Sequence, residues 1–208
     1  VEAMKKGVYD YITKPFDMDE LKLIIEKALE KRRLVLENQI LKDLLNQYRP
    51  QEEMVEVSAA MKSVYERVYK VASTDYTVLL EGESGTGKTY LARKIHELSP
   101  RSSAPFIRVN CASLPANLIE SELFGFEKGA FTGATRFKPG KVEMANKGTL
   151  FLDEINTLNL SAQASLLHMI QEQEFERLGG TKTIKVDIRL IVASNEKLTD
   201  LVEKKLFR

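Results

Sequence analysis

Cysteine is almost absent from the chain: Cys111 stands alone among 208 residues. A single thiol cannot close an internal disulfide, and such sparing use fits a reducing, cytoplasmic setting. Histidine is nearly as scarce, at His96 and His168. Neither lies at a metal-ligand spacing from Cys111, so packing or surface roles are expected for all three. No apolar run approaches the roughly 18–20 residues of a membrane span, so no membrane association is expected. No basic stretch followed by an apolar core opens the chain, and no export signal is visible. Charge of one sign is not in excess either. The formal net charge is +1, which leaves no basic field for nucleic acid. The apolar fraction is ordinary at 43 %, enough for a core, and the length fits one or two domains.

Glycine and proline are missing between Asp17 and Pro50, which leaves nothing to stop a helix there. Asp17 is a fair N-cap, with Glu20 three residues later. Leu21, Ile24, Ile25, Ala28 and Leu29 mark one face. A heptad frame puts Leu34 and Leu41 at d and Asn38 and Leu45 at a, with Tyr48 at the next d. A paired Asn38 would fix register and favour two strands. A solvated connecting helix, with charges at Glu30, Lys31, Arg32, Arg33 and Glu37, is the other reading. Pro50-Gln51-Glu52-Glu53 then marks a boundary. Upstream, Val8 to Thr13 has strand character and Lys14-Pro15 ends it. A lone strand cannot bury its faces, so this piece is expected to be the tail of a domain that lies mostly before Val1.

The densest signal is Gly82-Glu83-Ser84-Gly85-Thr86-Gly87-Lys88-Thr89, which fits the phosphate-loop pattern without a mismatch. Glycines let backbone N–H groups approach oxygen closely. Lys88 supplies charge to outer phosphates and Thr89 a hydroxyl to Mg²⁺. Tyr76 to Leu80 reads as a buried strand before the loop. Tyr90 to His96 reads as an amphipathic helix after it, whose N-terminus favours an anion. A nucleotide such as ATP with Mg²⁺ is the expected ligand.

Beyond the loop the pattern alternates. A helix is expected over Ala60–Val71, with Met61, Val64, Val68 and Val71 on one face. Strands are expected over Phe106–Asn110, Gly148–Glu154 and Asp187–Ala193. Leu118–Leu123 reads as helix, and Ser161 as the cap of a helix through Ile170. Glu174–Val186 reads as a hairpin around Gly179-Gly180. Such alternation argues an α/β fold with a parallel sheet and a site at its C-terminal edge. Asp153 and Glu154 end an apolar strand. Adjacent side chains there point oppositely, so Asp153 can serve the Mg²⁺ shell while Glu154 polarises a water. Asn110 and Asn195 also end strands; by residue type alone they are turn residues. Phe124–Phe137 is rich in glycine and phenylalanine. Its Gly129-Ala130-Phe131-Thr132-Gly133-Ala134 segment is a loop with little side-chain anchoring, its phenylalanine either offered to a partner or folded back.

Taken together, these motifs carry a resemblance. Ala3 to Phe16 resembles the last strand and helix of a two-component receiver domain. There Lys14 would stand beside a phosphorylated aspartate, itself outside this chain, and Tyr11 would change rotamer on activation. The phosphate loop with Asp153-Glu154 resembles an AAA+ ATPase. The hexapeptide Gly129–Ala134 is similar to the GAFTGA signature of sigma-54-dependent transcription activators, the nitrogen regulatory protein C family. The resemblance covers the whole chain. It implies a receiver tail over 1–30, a linker or dimerisation helix over 31–49, and an AAA+ ATPase domain over 50–208, incomplete at its C-terminal end. It implies ATP hydrolysis that remodels RNA polymerase bound to sigma-54, with Asn110 as a switch toward Glu154 and Asn195 as a γ-phosphate sensor. Phe131 and Thr132 would tip a mobile loop that touches sigma-54. Arg208 would open a segment of arginine fingers that act across subunits. The expected assemblies are an inactive homodimer and an active hexamer or heptamer ring. A sensor histidine kinase would act on the missing part of the receiver, and a C-terminal domain absent here would bind DNA. The family glycine near the adenine is replaced, at Glu56 or Val57. A nonhydrolysing nucleotide-gated module and another AAA+ remodelling ATPase are the alternatives; Glu154 argues against the first and Gly129–Ala134 against the second.

Overall fold

The computed structural model describes residues 17–47 and 59–208 except Ala116, with the side chains of 38–47, Ala59 and Ala60 left aside. Tyr11, Lys14, the strand expected around them, the side chain of Asn38 and the boundary at Pro50 lie outside the described residues. The chain divides into two units, Val1–Glu56 and Val57–Arg208.

In the first unit, α1 (Met18–Gln47) is one helix that runs without interruption through the boundary expected near residue 30. Asp17 caps it as expected: its Oδ1 accepts the Asp19 N–H at 2.8 Å. Of the expected face, Leu21, Ile24 and Ala28 are half-buried, while Ile25 and Leu29, like Leu23, Leu34, Val35 and Leu36, are about half exposed or more.

The second unit is built on four parallel strands: β1 (Val78–Glu81), β2 (Phe106–Asn110), β5 (Thr149–Asp153) and β8 (Arg189–Ser194). Their order is β1-β8-β5-β2. The expected α/β fold with a parallel sheet is what is found. β5 and β8 are buried at every position because the two sheet faces are both covered. The pleat sorts their side chains. Leu150, Leu152, Leu190 and Val192 join one cluster, with Ala162, Leu166 and Met169 of α6 (Leu160–Glu172). Phe151, Ile191 and Ala193 join the other, with Val68 of α2 (Ala59–Ala72) and Leu91, Ala92 and Ile95 of α3 (Lys88–Glu97). Each such Val, Leu, Ile, Phe or Met side chain contributes about 1.5–3 kcal/mol of hydrophobic stabilisation, and the alanines less.

One buried cation fastens α2. Arg189, 1 % exposed, donates from Nη1 to the Ala72 carbonyl at 2.8 Å and from Nη2 to the Val71 carbonyl at 2.7 Å. Those carbonyls end the helix, where backbone oxygens lack partners and positive charge is favoured. Burial pulls the Arg189 guanidinium below the ordinary arginine value.

Shorter elements leave the sheet between β2 and β5. They are α4 (Ile119–Phe124), β3 (Gly125–Phe126), β4 (Lys138–Pro139) and α5 (Lys141–Met144). β3 and β4 pair antiparallel. The hairpin expected over Glu174–Val186 is present as β6 (Glu174–Glu176) and β7 (Thr183–Lys185). A last helix, α7 (Leu198–Glu203), follows β8.

Several local expectations are corrected, and β5 spans only Thr149–Asp153, so Gly148 and Glu154 lie outside it. Tyr76 and Thr77 are not in β1, and Tyr76 is 74 % exposed, so its strand-forming side chain has no sheet neighbour to pack on. The final strand begins at Arg189, not Asp187. The cap of α6 is Asn159 rather than Ser161: Asn159 Oδ1 accepts the Ala162 N–H at 2.8 Å, while Ser161 already lies inside the helix.

Candidate functional site

Gly82 continues the line of β1, its N–H donating to the Ser194 carbonyl at 3.2 Å. The backbone then turns through Gly85 and Gly87, both left-handed with φ of 82° and 85°. A Cβ at either would be strained whatever the space around it, which explains the residue type. Thr86 Oγ1 donates to the Glu83 carbonyl at 2.8 Å and tightens the turn. Lys88, at the first position of α3, folds over the loop: Nζ donates to the Gly82 carbonyl at 2.6 Å and to the Glu83 carbonyl at 2.8 Å. Glu83, Ser84, Gly85, Thr86 and Gly87 are exposed, so the cradle opens to solvent.

Thr89 faces across to β5. Its Oγ1 donates to Asp153 Oδ2 at 3.2 Å, a contact between residues 64 positions apart. The loop and the acidic strand end thus meet, as the sequence predicts. Asp153 is 7 % exposed and is held from its other side by Arg108 of β2, whose Nη2 donates to the same Oδ2 at 2.8 Å. Sequence reading passed over Arg108. The signal was available in the pleat: Arg108 and Asn110 share a face of β2, and Asn110 is in register with Asp153.

Glu154 has a left-handed backbone, φ 54° and ψ 49°, and opens a 3₁₀ turn over Ile155–Thr157. Among the described residues, the other non-glycine ones with positive φ are Lys147, Gln173 and Lys205. All three follow helix ends, where that conformation is routine. Glu154 instead follows a buried strand directly. A strained residue costs about 1–3 kcal/mol and marks a place where direction matters more than comfort.

The remaining expected residues are placed as follows. Asn110 Oδ1 accepts from the Ala112 and Ser113 N–H groups at 3.0 and 3.3 Å, so here it caps the 3₁₀ turn Cys111–Ser113. Asn195 follows β8 directly and is exposed. Arg208 is exposed and its backbone N–H donates to Gln163 Oε1 on α6 at 3.1 Å. Cys111 is buried beside the site, and burial, with the negative charge of Asp153 and Glu154, pushes its thiol up to about 12. His96 is buried and shares a hydrogen bond with Thr149 at 2.9 Å, a packing role. No group of three or more potential His, Cys, Asp or Glu metal ligands gathers among the described residues.

The Gly129–Ala134 loop is closed at its neck, where the Gly129 N–H donates to the Ala134 carbonyl at 2.9 Å. Gly129 and Gly133 are left-handed and a Cβ would touch nothing at either. Phe131 is 42 % exposed and meets Phe126 edge-on, ring centroids 4.9 Å apart. It is therefore half folded back and half presented. Below the neck the fit is tight. The Glu127 N–H donates to the Leu178 carbonyl, and the Leu178 N–H to the Gly125 carbonyl, both at 3.0 Å. Arg177, also unforeseen, donates to Glu127 Oε1 at 2.7 Å and to Glu143 Oε2 at 2.8 Å, with Phe137 under its guanidinium. The hairpin β6–β7 and the base of the loop are one cross-linked body.

The donor set beside the phosphate loop suits magnesium. A hydroxyl and a carboxylate, both hard oxygen donors, converge from Thr89 and Asp153. No helix among the described residues is long and apolar enough to cross a membrane.

Comparison with known proteins bears on this arrangement. A family model described as "Sigma-54 interaction domain" matches residues 54–208. The chain is 49 % identical over 208 residues to the regulatory protein AtoC of Escherichia coli (strain K12), covering 100 % of this chain and 45 % of that protein. It is 43 % identical over 208 residues to the DNA-binding transcriptional regulator NtrC of Proteus hauseri, covering 100 % and 43 %. Among solved structures, NtrX from Brucella abortus in complex with ADP is similar at a TM-score of 0.71 and 37 % identity, over 100 % of this chain and 45 % of that one. NtrX in complex with ATP gives a TM-score of 0.70 at 36 % identity, over 100 % and 43 %. The chain spans less than half the length of these relatives.

Proposed function

The chain belongs to the family of sigma-54-dependent enhancer-binding activators, and from that premise we propose that its second unit is an AAA+ ATPase that couples ATP hydrolysis to remodelling of sigma-54 RNA polymerase. The observation that carries this reading is the meeting of Thr89 with Asp153, which joins a phosphate loop to an acidic strand end. The ATP- and ADP-bound structures of NtrX support a nucleotide ligand.

The chemistry follows from the residues. Loop N–H groups around Gly85 and Gly87 receive phosphate oxygens once nucleotide displaces solvent. Lys88 leaves the Gly82 and Glu83 carbonyls for the outer phosphates, exchanging neutral acceptors for charged ones. Thr89 and Asp153 would hold Mg²⁺, which when bound would neutralise phosphate charge. Glu154 orients a water and takes its proton as the water oxygen bonds to the γ-phosphorus; the bond to the bridging oxygen breaks and ADP leaves with that electron pair. Asn195, directly after β8, is assigned as the γ-phosphate sensor. Asn110 would act as a switch by giving up its turn for Glu154. Arg208 is assigned to the phosphate of a neighbouring subunit in a ring of six or seven.

The loop Gly129, Ala130, Phe131, Thr132, Gly133, Ala134 is the proposed contact for sigma-54. Residues 1–30, with Tyr11 and Lys14, are assigned to a receiver tail, 31–49 to a dimerising helix in the inactive state, and 50–208 to the ATPase domain. The whole protein would act in the cytoplasm, take its signal from a histidine kinase and bind DNA through a further domain.

Steady-state phosphate release from Mg-ATP on the whole protein is the test. Wild type is expected to turn over, while Glu154→Gln binds nucleotide and does not. Equal turnover in both would remove Glu154 from the mechanism and leave a nucleotide-binding module.

A further inference from the structure

Asp153 Oδ2 receives donors from two directions. Thr89 Oγ1 reaches it over 3.2 Å from the phosphate loop, and Arg108 Nη2 over 2.8 Å from β2. The arginine belongs neither to the loop nor to the pair of acids. The pleat delivers it: Arg108 shares a face of β2 with Asn110, whose backbone is in register with Asp153. The two partners differ in freedom. The Asp153 side chain is 10 % exposed and that of Arg108 is 46 % exposed. The acid is fixed by its strand, whereas the arginine lies open to solvent. Asp153 Oδ2, assigned above to magnesium, therefore already has a full positive charge beside it.

We propose that Arg108 is a resident counter-ion of the magnesium site, a positioning residue that holds Asp153 while nucleotide is absent and yields Oδ2 when the metal–nucleotide complex enters. This rests on the metal reading of Thr89 and Asp153. Two cations at one oxygen repel in a partly dry site, so the metal has to displace the guanidinium. Two consequences follow. The magnesium concentration at which nucleotide binding tightens is higher than Thr89 and Asp153 alone would set. While it holds Asp153, Arg108 also shields that carboxylate from the nucleotide phosphates and so supports binding when magnesium is scarce. Both effects narrow the gap between metal-free and metal-loaded affinity.

The test is binding of a fluorescent ADP analogue to the whole protein across a magnesium chloride series and in EDTA. Arg108→Gln is expected to move the magnesium midpoint down by roughly three- to fivefold, on the scale of a half-exposed charge-assisted pair. It is also expected to widen the ratio of affinities between EDTA and saturating magnesium. Arg108→Lys, which keeps the cation, stays near wild type. Arg108→Met, which keeps the aliphatic stem, carries the same test if Arg108→Gln fails to fold. An unchanged midpoint and ratio in a folded Arg108→Gln or Arg108→Met overturns the proposal and leaves a plain ion pair. Asp153→Asn separates the two layers. If Asp153→Asn loses the magnesium response and Arg108→Gln keeps the wild-type midpoint, the counter-ion role alone falls. If wild type and Asp153→Asn respond to magnesium alike, the metal reading falls and Arg108 falls with it.

Discussion

The two glycine-rich loops of the second unit use the same residue for opposite ends. In the phosphate loop, Gly85 and Gly87 are left-handed, but the segment is tied down by Lys88, Thr86 and Thr89, and α3 behind it is packed into the core. In the Gly129–Ala134 loop, Gly129 and Gly133 are also left-handed, and it meets the fold through Ala130, which lies against Gly179, and through the Phe131 ring on Phe126. One loop is tied down by its own side chains along its length; the other leaves Phe131 and Thr132 exposed and is cross-linked at its base. Glycine sequence alone does not distinguish them. What each loop is fastened to does.

The sharpest way to break that comparison is at Lys88. Lys88→Ala removes the cation of the first loop and should weaken ATP binding about a hundredfold or more, the scale of losing one charged partner in a polar site. Equilibrium binding of a fluorescent ATP analogue checks it. Retained affinity would mean that the loop binds by backbone alone.

Next in size is the base of the second loop. A Cβ at Gly140 would lie 2.3 Å from the Phe124 carbonyl carbon and 2.4 Å from the Gly125 nitrogen, all backbone. Gly140→Ala should therefore destabilise the unit by about 3 kcal/mol. A Cβ at Gly133 would meet nothing, and only its φ of 100° is at stake. Gly133→Ala should cost about 1 kcal/mol. Chemical denaturation of both variants measures the difference, and equal midpoints would show that the base is no more rigid than the tip.

Much of this was legible beforehand, and the reasons for success and failure are physical. Phe106–Asn110 was read to the residue because an aromatic and β-branched run ends in a turn former. Gly82–Thr89 was read because its chemistry leaves few substitutes. α5 and α7 span four and six residues, too short for a 3.6-residue period to show, and they were not foreseen. Nor was the place of β8 between β1 and β5, since strand order is a matter of tertiary pairing. Arg108 and Arg177 were missed for a related reason: their partners are 45 and at least 34 positions away. At the start of α6, Asn159 and Ser161 are both residue types that cap helices, and only the Asn159 hydrogen bond to the Ala162 N–H decides between them.

A smaller effect is expected at Cys111. Its thiol is raised from 9.0 to about 12 by burial and by the two acids nearby. The neutral thiol is favoured in the fold, so its contribution to stability is whole below about pH 9 and is lost as pH rises toward 12. At pH 8 the native protein should be alkylated by iodoacetamide far more slowly than the denatured one, which mass spectrometry reads directly. Equal rates would show that the segment after Asn110 opens freely.

Smallest of all should be the effect of Thr132→Ala on the fold and on ATP turnover, because Thr132 is exposed at the tip. If the loop is the sigma-54 contact, the same variant loses capture of sigma-54 in the presence of a transition-state analogue of ATP hydrolysis. Retained capture and transcription would return Phe131 and Thr132 to a packed surface loop.

The pairing of β1 with β8 joins Val78 to Ile191, and among the described residues β1 has no other strand beside it. A contact between such distant segments closes one of the longest loops in the chain, and long loops are slow to close. During synthesis β1 emerges early and has to wait until Ser194 is made before it finds a neighbour. The phosphate loop, carried on the end of β1, therefore takes shape late. Any nucleotide binding that needs the loop in this shape would then wait until the acidic strand between β8 and β2 has already been made.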